Sequence, residues 1–144
     1  MYKIKEISNS NNPHEDGLKL LKDLINKDKL EIKYNENGKP YLKDNSLYFS
    51  ISHSFDHVIC IISDLEVGID IEKVRDYDPN ILNLLKMNEC NNENFFINWT
   101  KREAYIKCYG LSLKDINIKI DNNIKTYVKD GYVISICFKK RVIL

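Results

Sequence analysis

Apolar positions along the chain follow two different periods, and their succession predicts an α+β protein. In several short stretches they alternate with polar residues or run continuously between turn residues, as in β-strands. Between residues 92 and 108 they recur every three to four positions, as on one face of a helix. The predicted strands cover 2–7, 31–34, 47–52, 58–63, 66–72, 116–120, 123–128 and 132–138, and the predicted helices cover 14–28, 79–87 and 92–108.

The stretch from Val67 to Glu72 places two carboxylates on a segment that is otherwise typical of a buried strand. Because side chains alternate along a strand, Asp70 and Glu72 point to the same face and repel each other. A cation would remove the repulsion, and Mg²⁺ is usually held by one or two carboxylates together with phosphates and water. An edge strand with one charged, solvated face is the alternative interpretation.

The predicted helix over 92–108 has signals at both ends and a third acid on its side. Asn91 or Asn92 can cap its start, and Gly110 suits a left-handed closing residue. Glu103 follows Trp99 by one turn, so it lies at the border of the apolar face. Glu103 could bind a ligand with its neighbours, or form an ordinary surface pair with Lys107 four residues later.

Two further segments contain groups that could bind phosphate. The sequence from Ser52 to His57 is predicted to be a polar turn between two strands, and its hydroxyls, imidazole and backbone amides could receive phosphate oxygens. Upstream, Gly38, Lys39 and Pro40 form a predicted tight turn that leads into an extended segment. Either segment could equally be a solvated turn with no ligand.

Read together, these four segments resemble the 4′-phosphopantetheinyl transferases of the surfactin type. The motifs are Gly38-Lys39-Pro40, Ser52-His53-Ser54, Gly68-Ile69-Asp70-Ile71-Glu72 and the run from Trp99 to Lys107. The resemblance extends from about Gly17 to Phe138, and its specificity comes from the order of the four motifs. It implies an α+β fold of two similar α/β subdomains in a pseudo-twofold arrangement, here divided into a shortened 1–64 and a second unit, 65–144.

The resemblance also implies a reaction and roles for residues. The 4′-phosphopantetheine group of coenzyme A would pass to a serine of an acyl or peptidyl carrier protein, releasing adenosine 3′,5′-bisphosphate. The implied Mg²⁺ ligands are Asp70, Glu72 and Glu103; the implied catalytic residues are Glu103 and Lys107; and the implied coenzyme-binding residues are Lys39, Pro40, Ser52, His53 and Lys107. Glu103, or water on the metal, would be the base for the serine hydroxyl, and Lys107 would contact the pyrophosphate.

Two alternatives stay open beside this interpretation. The chain could bind coenzyme A or a carrier protein without catalysis, since the part ahead of Gly38 is short and no arginine precedes Arg75. It could also be an unrelated Mg²⁺-dependent phosphate hydrolase that has a similar set of three acids. Transfer to a carrier protein distinguishes the first interpretation from both alternatives.

Composition and charge fit a compact protein of 144 residues that binds neither nucleic acid nor membranes. The chain is 43% hydrophobic and 30% charged, and its net charge of +1 gives no general attraction to nucleic acid or lipid. No run is long enough for a membrane span or a signal sequence, and the four cysteines contain no Cys-x-x-Cys pair. We therefore expect a cytoplasmic protein with reduced thiols, whose oligomeric state the sequence leaves undetermined.

Overall fold

Antiparallel strands and helices alternate along the part of the chain that the computed structural model describes, residues 1–44, 46–120 and 123–140. The strands are β1 (Tyr2–Ile7), β2 (Ile32–Tyr34), β3 (Pro40–Leu42), β4 (Tyr48–Ser54), β5 (His57–Ser63), β6 (Val67–Lys73), β7 (Ile124–Lys129) and β8 (Tyr132–Phe138). The helices are α1 (Pro13–Ile25), α2 (Ile81–Leu85), α3 (Asn92–Tyr109) and a short 3-10 helix, Leu113–Asp115. The fold is therefore α+β, as predicted.

The strands form three small sheets. The first has the order β1-β5-β4, the second has the order β6-β8-β7, and β2 pairs with β3. Each strand pair is antiparallel. Helix α1 packs on the first sheet and α3 packs on the second, mainly against β6 and β8. Among the described residues, no helix combines the length and the apolar character required to cross a bilayer.

Polar caps begin both long helices, and those of α3 are the ones predicted from its sequence. The side chain of Asn91 accepts a hydrogen bond from Asn94 N at the start of α3, and Gly110 closes the helix with a φ of +65°. At the start of α1, the Asn12 side chain accepts from Glu15 N, and Asn26 ends the helix in the left-handed conformation. Polar caps therefore satisfy backbone groups that a helix end would leave unpaired.

Hydroxyl groups join the first sheet to the second. Ser50, Ser52 and Ser54 lie on one face of β4, and each Oγ accepts a hydrogen bond from a backbone N–H of β6, at 3.0–3.1 Å. The edge of β6 that faces β4 is therefore satisfied by side chains instead of by a strand ladder. We call this row of three hydrogen bonds the serine seam.

One hydrophobic cluster is built from both sheets. It contains Ile59 and Ile61 of β5 together with residues of β6 and β8, all buried. A separate cluster contains Leu20 and Leu21 of α1, which pack against the opposite face of β5. Strand β5 thus contributes one face to each core, as its continuous apolar sequence requires.

The predicted elements agree with the structure except at five places, one of which is α1, which ends at Ile25 and not at residue 28. Residues 116–120 form turns and bends, not a strand, because Asp115 binds back to Ser112 N in a 3-10 turn and ends the extended run. Strand β3 was predicted only as an extended segment. Strand β4 continues to Ser54, so the polar turn before β5 is shorter than predicted, and α2 covers only Ile81–Leu85 of the predicted 79–87.

Candidate functional site

The candidate site lies where α3 packs on β6, and Gly68 determines how closely these two elements approach. A Cβ atom at Gly68 would lie 2.1 Å from the carbonyl oxygen of Ala104 and 2.4 Å from the backbone nitrogen of Cys108. Any side chain at this position would overlap the helix backbone, so the close packing requires glycine. It brings Lys107 of α3 within hydrogen-bond distance of Asp70 on β6.

Asp70 is buried, and its two carboxylate oxygens have different surroundings. Lys107 Nζ lies 3.1 Å from Oδ1 and also donates to the carbonyl of Ile69 at 3.1 Å. The hydroxyl of Ser52 donates to the same Oδ1 at 3.2 Å. Oδ2 is buried and has no hydrogen-bond partner among the described residues. Buried polar atoms are normally satisfied, so this carboxylate oxygen is the atom of the candidate site that a cation could bind.

Asp70 interacts electrostatically with the two other predicted metal ligands, Glu72 and Glu103. Burial raises the pKa of Asp70 to about 7, the Lys107 ammonium opposes this rise, and the carboxylates of Glu103 and Glu72 add to it. Burial also raises the pKa of Glu103, again against Lys107 and with a contribution from Glu72. The three carboxylates therefore repel one another in a partly desolvated environment, which a bound cation would stabilise.

Glu72 lies nearer to solvent than Asp70 and has a cationic partner. Its Oε2 lies 2.8 Å from Nη1 of Arg75, three residues later, although the pair lacks the alignment of a hydrogen bond. The Arg75 guanidinium also lies over the Phe96 ring, 4.7 Å from its centroid. Arg75 thus connects the carboxylate of β6 to the aromatic face of α3.

The predicted Mg²⁺ site fits these residues in part. Within residues 1–44, 46–120 and 123–140, no three His, Cys, Asp or Glu side chains form a group that could hold a metal ion. Mg²⁺ usually takes only one or two carboxylates when phosphates and water complete its shell. Asp70, with its unpartnered Oδ2, and Glu72 on the same strand face fit that smaller requirement.

Lys39 and Pro40 lie at the end of α3, on the wall of a cavity of about 210 Å³ that Lys107 also lines. Lys39 Nζ donates to the carbonyl of Cys108 at 2.8 Å, and Asn37 Nδ2 donates to the carbonyl of Gly110 at 2.8 Å. Burial lowers the pKa of Lys39. The β2–β3 turn therefore caps the carboxyl end of α3, and the structure brings Lys39, Pro40 and Lys107 to one cavity.

Ser52 and His53 lie on opposite faces of β4. Ser52 is opposite Ile59 of β5 and faces β6, whereas His53 is opposite Val58, whose side chain belongs to the core under α1. Ser52 is 5% exposed, and its hydroxyl accepts from Ile71 N and donates to Asp70, while His53 is exposed. The structure thus brings Ser52 to the carboxylates and separates it from His53.

Comparison with curated proteins identifies relatives of one kind. The chain is 38% identical to the 4′-phosphopantetheinyl transferase gsp of Aneurinibacillus migulanus over 87 residues, which cover 53% of this chain and 36% of the relative. It is 30% identical to the 4′-phosphopantetheinyl transferase Sfp of Bacillus subtilis (strain 168) over 120 residues, which cover 74% of this chain and 52% of the relative. The resemblance to the surfactin-type 4′-phosphopantetheinyl transferases is confirmed.

A third relative is another 4′-phosphopantetheinyl transferase. The 4′-phosphopantetheinyl transferase psf-1 of Bacillus pumilus is 29% identical over 136 residues, covering 72% of this chain and 58% of the relative. The chain spans about half the length of these phosphopantetheinyl transferases. No protein-family model matches the chain.

Two features of this phosphopantetheinyl transferase relative were not predicted from its sequence. The serine seam was missed, although the alternation Ser50-Ile51-Ser52-His53-Ser54 places three hydroxyls on one strand face. Arg75 was not predicted to pair with Glu72, although the two are only three residues apart. Neither contact can be predicted from residue type alone. The serine seam depends on which strand lies beside β4, and the Arg75 contact depends on the path of the chain after β6.

Proposed function

We propose that the chain transfers the 4′-phosphopantetheine group from coenzyme A to a serine of an acyl or peptidyl carrier protein. The observation that supports this proposal best is the buried Asp70, with Lys107 on one oxygen and no partner on the other, in a relative of phosphopantetheinyl transferases. In the proposed reaction, the serine oxygen bonds to the phosphorus next to pantetheine. The bond from that phosphorus to the bridging oxygen of the pyrophosphate breaks, and adenosine 3′,5′-bisphosphate leaves with the bond electrons.

Asp70 and Glu72 would hold Mg²⁺ against the pyrophosphate of the coenzyme. Glu103 of α3 stays a prediction as a third ligand, because within the described residues the three acids do not form one metal-binding group. When bound, this ion would supply charge neutralisation on the phosphate oxygens. The raised pKa values of Asp70 and Glu103 support this role, because both carboxylates gain from a nearby cation. Lys107 would contribute a fixed positive charge beside the leaving bisphosphate.

Glu103 is the proposed base for the serine hydroxyl. The hydroxyl must lose its proton as its oxygen attacks, and a carboxylate with a raised pKa is a better acceptor than an ordinary one. Lys107 acts only by its charge and its hydrogen bonds.

The cavity lined by Lys39, Pro40 and Lys107 is the proposed binding place for the nucleotide end of coenzyme A. Ser52 and His53 were both predicted to bind the 3′-phosphate. The exposed imidazole of His53 could reach a ligand in solution, whereas the Ser52 hydroxyl already bonds to Asp70 and Ile71. His53 is therefore the residue that we propose for this contact, and the contact from Ser52 stays a prediction.

We also propose that residues 1–64 and 65–144 are the two subdomains of a pseudo-twofold arrangement. Its support is that each part contains a long helix packed on a three-stranded antiparallel sheet, α1 in the first and α3 in the second. The shared core of β5, β6 and β8 would be the interface between them. The cytoplasmic location remains a prediction from composition.

The test is to incubate the protein with coenzyme A, Mg²⁺ and each of several apo carrier proteins, and to measure the mass of the intact carrier. Transfer adds one phosphopantetheine group to the carrier, and EDTA should prevent the gain. Asp70→Ala should also prevent it, whereas Asp28→Ala, at an exposed position of the first half, should not.

Two results would contradict the proposal. Coenzyme A binding without a mass gain on any carrier would favour a non-catalytic binding protein. Release of inorganic phosphate in place of adenosine 3′,5′-bisphosphate would favour a phosphate hydrolase.

A further inference from the structure

The three serines of the serine seam make the same contact with β6 but differ in one respect. Ser50 Oγ accepts from Ile69 N, Ser52 Oγ accepts from Ile71 N, and Ser54 Oγ accepts from Lys73 N. All three serines are buried, with 5–7% exposure. Ser52 alone among the three, within the described part of the chain, also donates to a carboxylate, at 3.2 Å from Oδ1 of Asp70. The serine seam therefore contains one serine that contacts the candidate site, Ser52, and two that can serve as controls for it, Ser50 and Ser54.

The direction of the hydrogen bonds at Ser52 follows from its chemistry. A hydroxyl has one proton to donate and lone pairs to accept, and a backbone N–H can only donate. Since Ile71 N–H donates to Oγ, the hydroxyl proton is free to point at Asp70 Oδ1. Strand β6 therefore orients the serine through Ile71, and the serine in turn binds the carboxylate of the preceding residue.

The carboxyl group of Asp70 is consequently fixed at one oxygen. Oδ1 receives both Ser52 Oγ and Lys107 Nζ, whereas Oδ2 is buried without a partner. Two donors on the same oxygen restrict rotation of the group about its last bond. They leave Oδ2 as the atom available to a ligand.

We propose that Ser52 is a positioning residue that holds Asp70 Oδ1, so that Oδ2 is presented to the cation and the coenzyme phosphates. The expected effect on Mg²⁺ and coenzyme binding rests on the proposed function. The role of Ser52 in holding the Asp70 carboxyl group does not. It gives Ser52 a role through Asp70 in place of the predicted side-chain contact with the 3′-phosphate. Outer partners of metal ligands typically change metal affinity by about 10–100-fold when they are removed.

The experiment compares Ser52→Ala with Ser54→Ala. Both variants remove one buried acceptor of a β6 N–H, so we expect both to lose stability in urea with EDTA present, and Ser52→Ala to lose more because it also removes the hydrogen bond to Asp70. Binding of coenzyme A is then titrated with Mg²⁺ by calorimetry. The Mg²⁺ concentration for half-maximal binding should rise about tenfold or more in Ser52→Ala and stay within about twofold of the unsubstituted chain in Ser54→Ala. An equal change of this Mg²⁺ concentration in the two variants would overturn the proposal, because it would show that Ser52 acts only through its hydrogen bond to β6, as Ser54 does.

Dephospho-coenzyme A, which lacks the 3′-phosphate, separates the two possible roles of Ser52. A positioning residue should change the Mg²⁺ requirement equally with both coenzymes. A direct phosphate contact would weaken binding of coenzyme A and leave dephospho-coenzyme A unaffected, and that result would overturn the proposal.

Crystal structures of the two variants without metal test directly whether Ser52 holds the Asp70 carboxyl group. The Asp70 carboxyl group should rotate away from its Oδ1 contacts in Ser52→Ala and keep its place in Ser54→Ala. An unmoved carboxyl group in Ser52→Ala would overturn the positioning role whatever the binding results. If the unsubstituted chain shows no Mg²⁺-dependent coenzyme binding, the proposed function fails, and these two structures still decide what Ser52 does.

Discussion

Asp70 shows how a single side chain can be unfavourable for folding and useful to a site. It is buried on a strand that otherwise contributes Val67, Ile69 and Ile71 to the core. The cost of placing a charge there is only partly offset by Lys107, since the pKa of Asp70 still rises to about 7. Strain of this electrostatic kind is typical of functional sites.

The raised pKa of Asp70 predicts how stability depends on pH. The carboxyl titrates near its ordinary value of 3.8 when the chain is unfolded and near 7 when it is folded. Between these values the folded chain keeps a proton that the unfolded chain has lost, so the free energy of unfolding falls as the pH rises. Asp70→Asn removes this titration, and its stability relative to the unsubstituted chain should increase from pH 5 to pH 7, by up to about 1.4 kcal/mol per pH unit, and level off above pH 7.

Urea unfolding in EDTA at several pH values measures this difference. Asp28→Asn removes an exposed carboxyl and controls for the change in net charge. A stability difference between Asp70→Asn and the unsubstituted chain that is constant over this range would show that Asp70 does not titrate as described.

Lys107 is the residue whose loss should affect the chemistry more than the fold. Its side chain is about one-third exposed, and its ammonium contacts Asp70 Oδ1 and the carbonyl of Ile69. A charged hydrogen bond is worth about 1.5–3 kcal/mol, so Lys107→Met should lower kcat/KM for coenzyme A by about tenfold or more. Steady-state kinetics with a carrier protein measure the effect. Lys114→Met, on the exposed 3-10 helix, is the control, and equal kinetics in the two variants would remove Lys107 from the site.

At the level of elements, the approach of α3 to β6 depends on Gly68. Gly68→Ala would place Cβ 2.1 Å from backbone, which cannot yield as a side chain can. We expect the variant to lose about 3 kcal/mol or more of unfolding free energy, above the usual range for an added methyl group in a core. We also expect weaker coenzyme binding, because Lys107 and Glu103 would move away from Asp70.

Gly17→Ala is the comparison for Gly68→Ala. Its Cβ would meet the Cγ2 atom of Ile51 at 2.7 Å, a side-chain methyl group that can shift more easily than helix backbone. Denaturant unfolding of both variants should show the larger loss at Gly68. The reverse order would mean that α3 adjusts more easily than its packing indicates.

The elements differ in how well the sequence predicts them, for physical reasons. Helix α3 was predicted at nearly its full length, because Asn91 and Gly110 act locally at its ends. The strand predicted at 116–120 was wrong, because alternation there competes with the turn that Asp115 forms. The contact of Gly68 with α3 could not be predicted, since nothing near Gly68 in sequence indicates which backbone lies above it.

The same distinction applies to the site. The side of β6 that holds Asp70 and Glu72 follows from alternation, and Lys107 follows from helical spacing and resemblance. The hydrogen bond from Ser52 to Asp70 could not be predicted, because it depends on the distance between the facing edges of β4 and β6. That distance is a property of the assembled sheets.

At the scale of the whole molecule, the two halves share one core. Ile59 and Ile61 belong to the first half and pack with buried residues of β6 and β8 from the second. We therefore expect a single cooperative unfolding transition. Leu21→Ala, in the first-half core, should lower the midpoint reported by fluorescence of Trp99, the only tryptophan, which lies in the second half.

Deletion of a buried leucine side chain usually costs about 2–5 kcal/mol, enough to move the midpoint clearly. Tyr34→Ala, at an exposed tyrosine of the first half, should leave the midpoint unchanged. If the midpoint reported by Trp99 were the same in Leu21→Ala and in the unsubstituted chain, residues 65–144 would unfold on their own. Calorimetric and van't Hoff enthalpies provide an independent check of cooperativity.

The serine seam also bears on the order in which the chain folds. Each of its three hydrogen bonds joins residues only 19 positions apart, with β5 between them, so closing this loop costs little chain entropy. Strands β4, β5 and β6 are thus suited to associate early, before β1 returns from the amino end or β8 arrives from the other. A nucleus of this kind would commit Asp70 to its place beside Ser52 before α3 brings Lys107 to it.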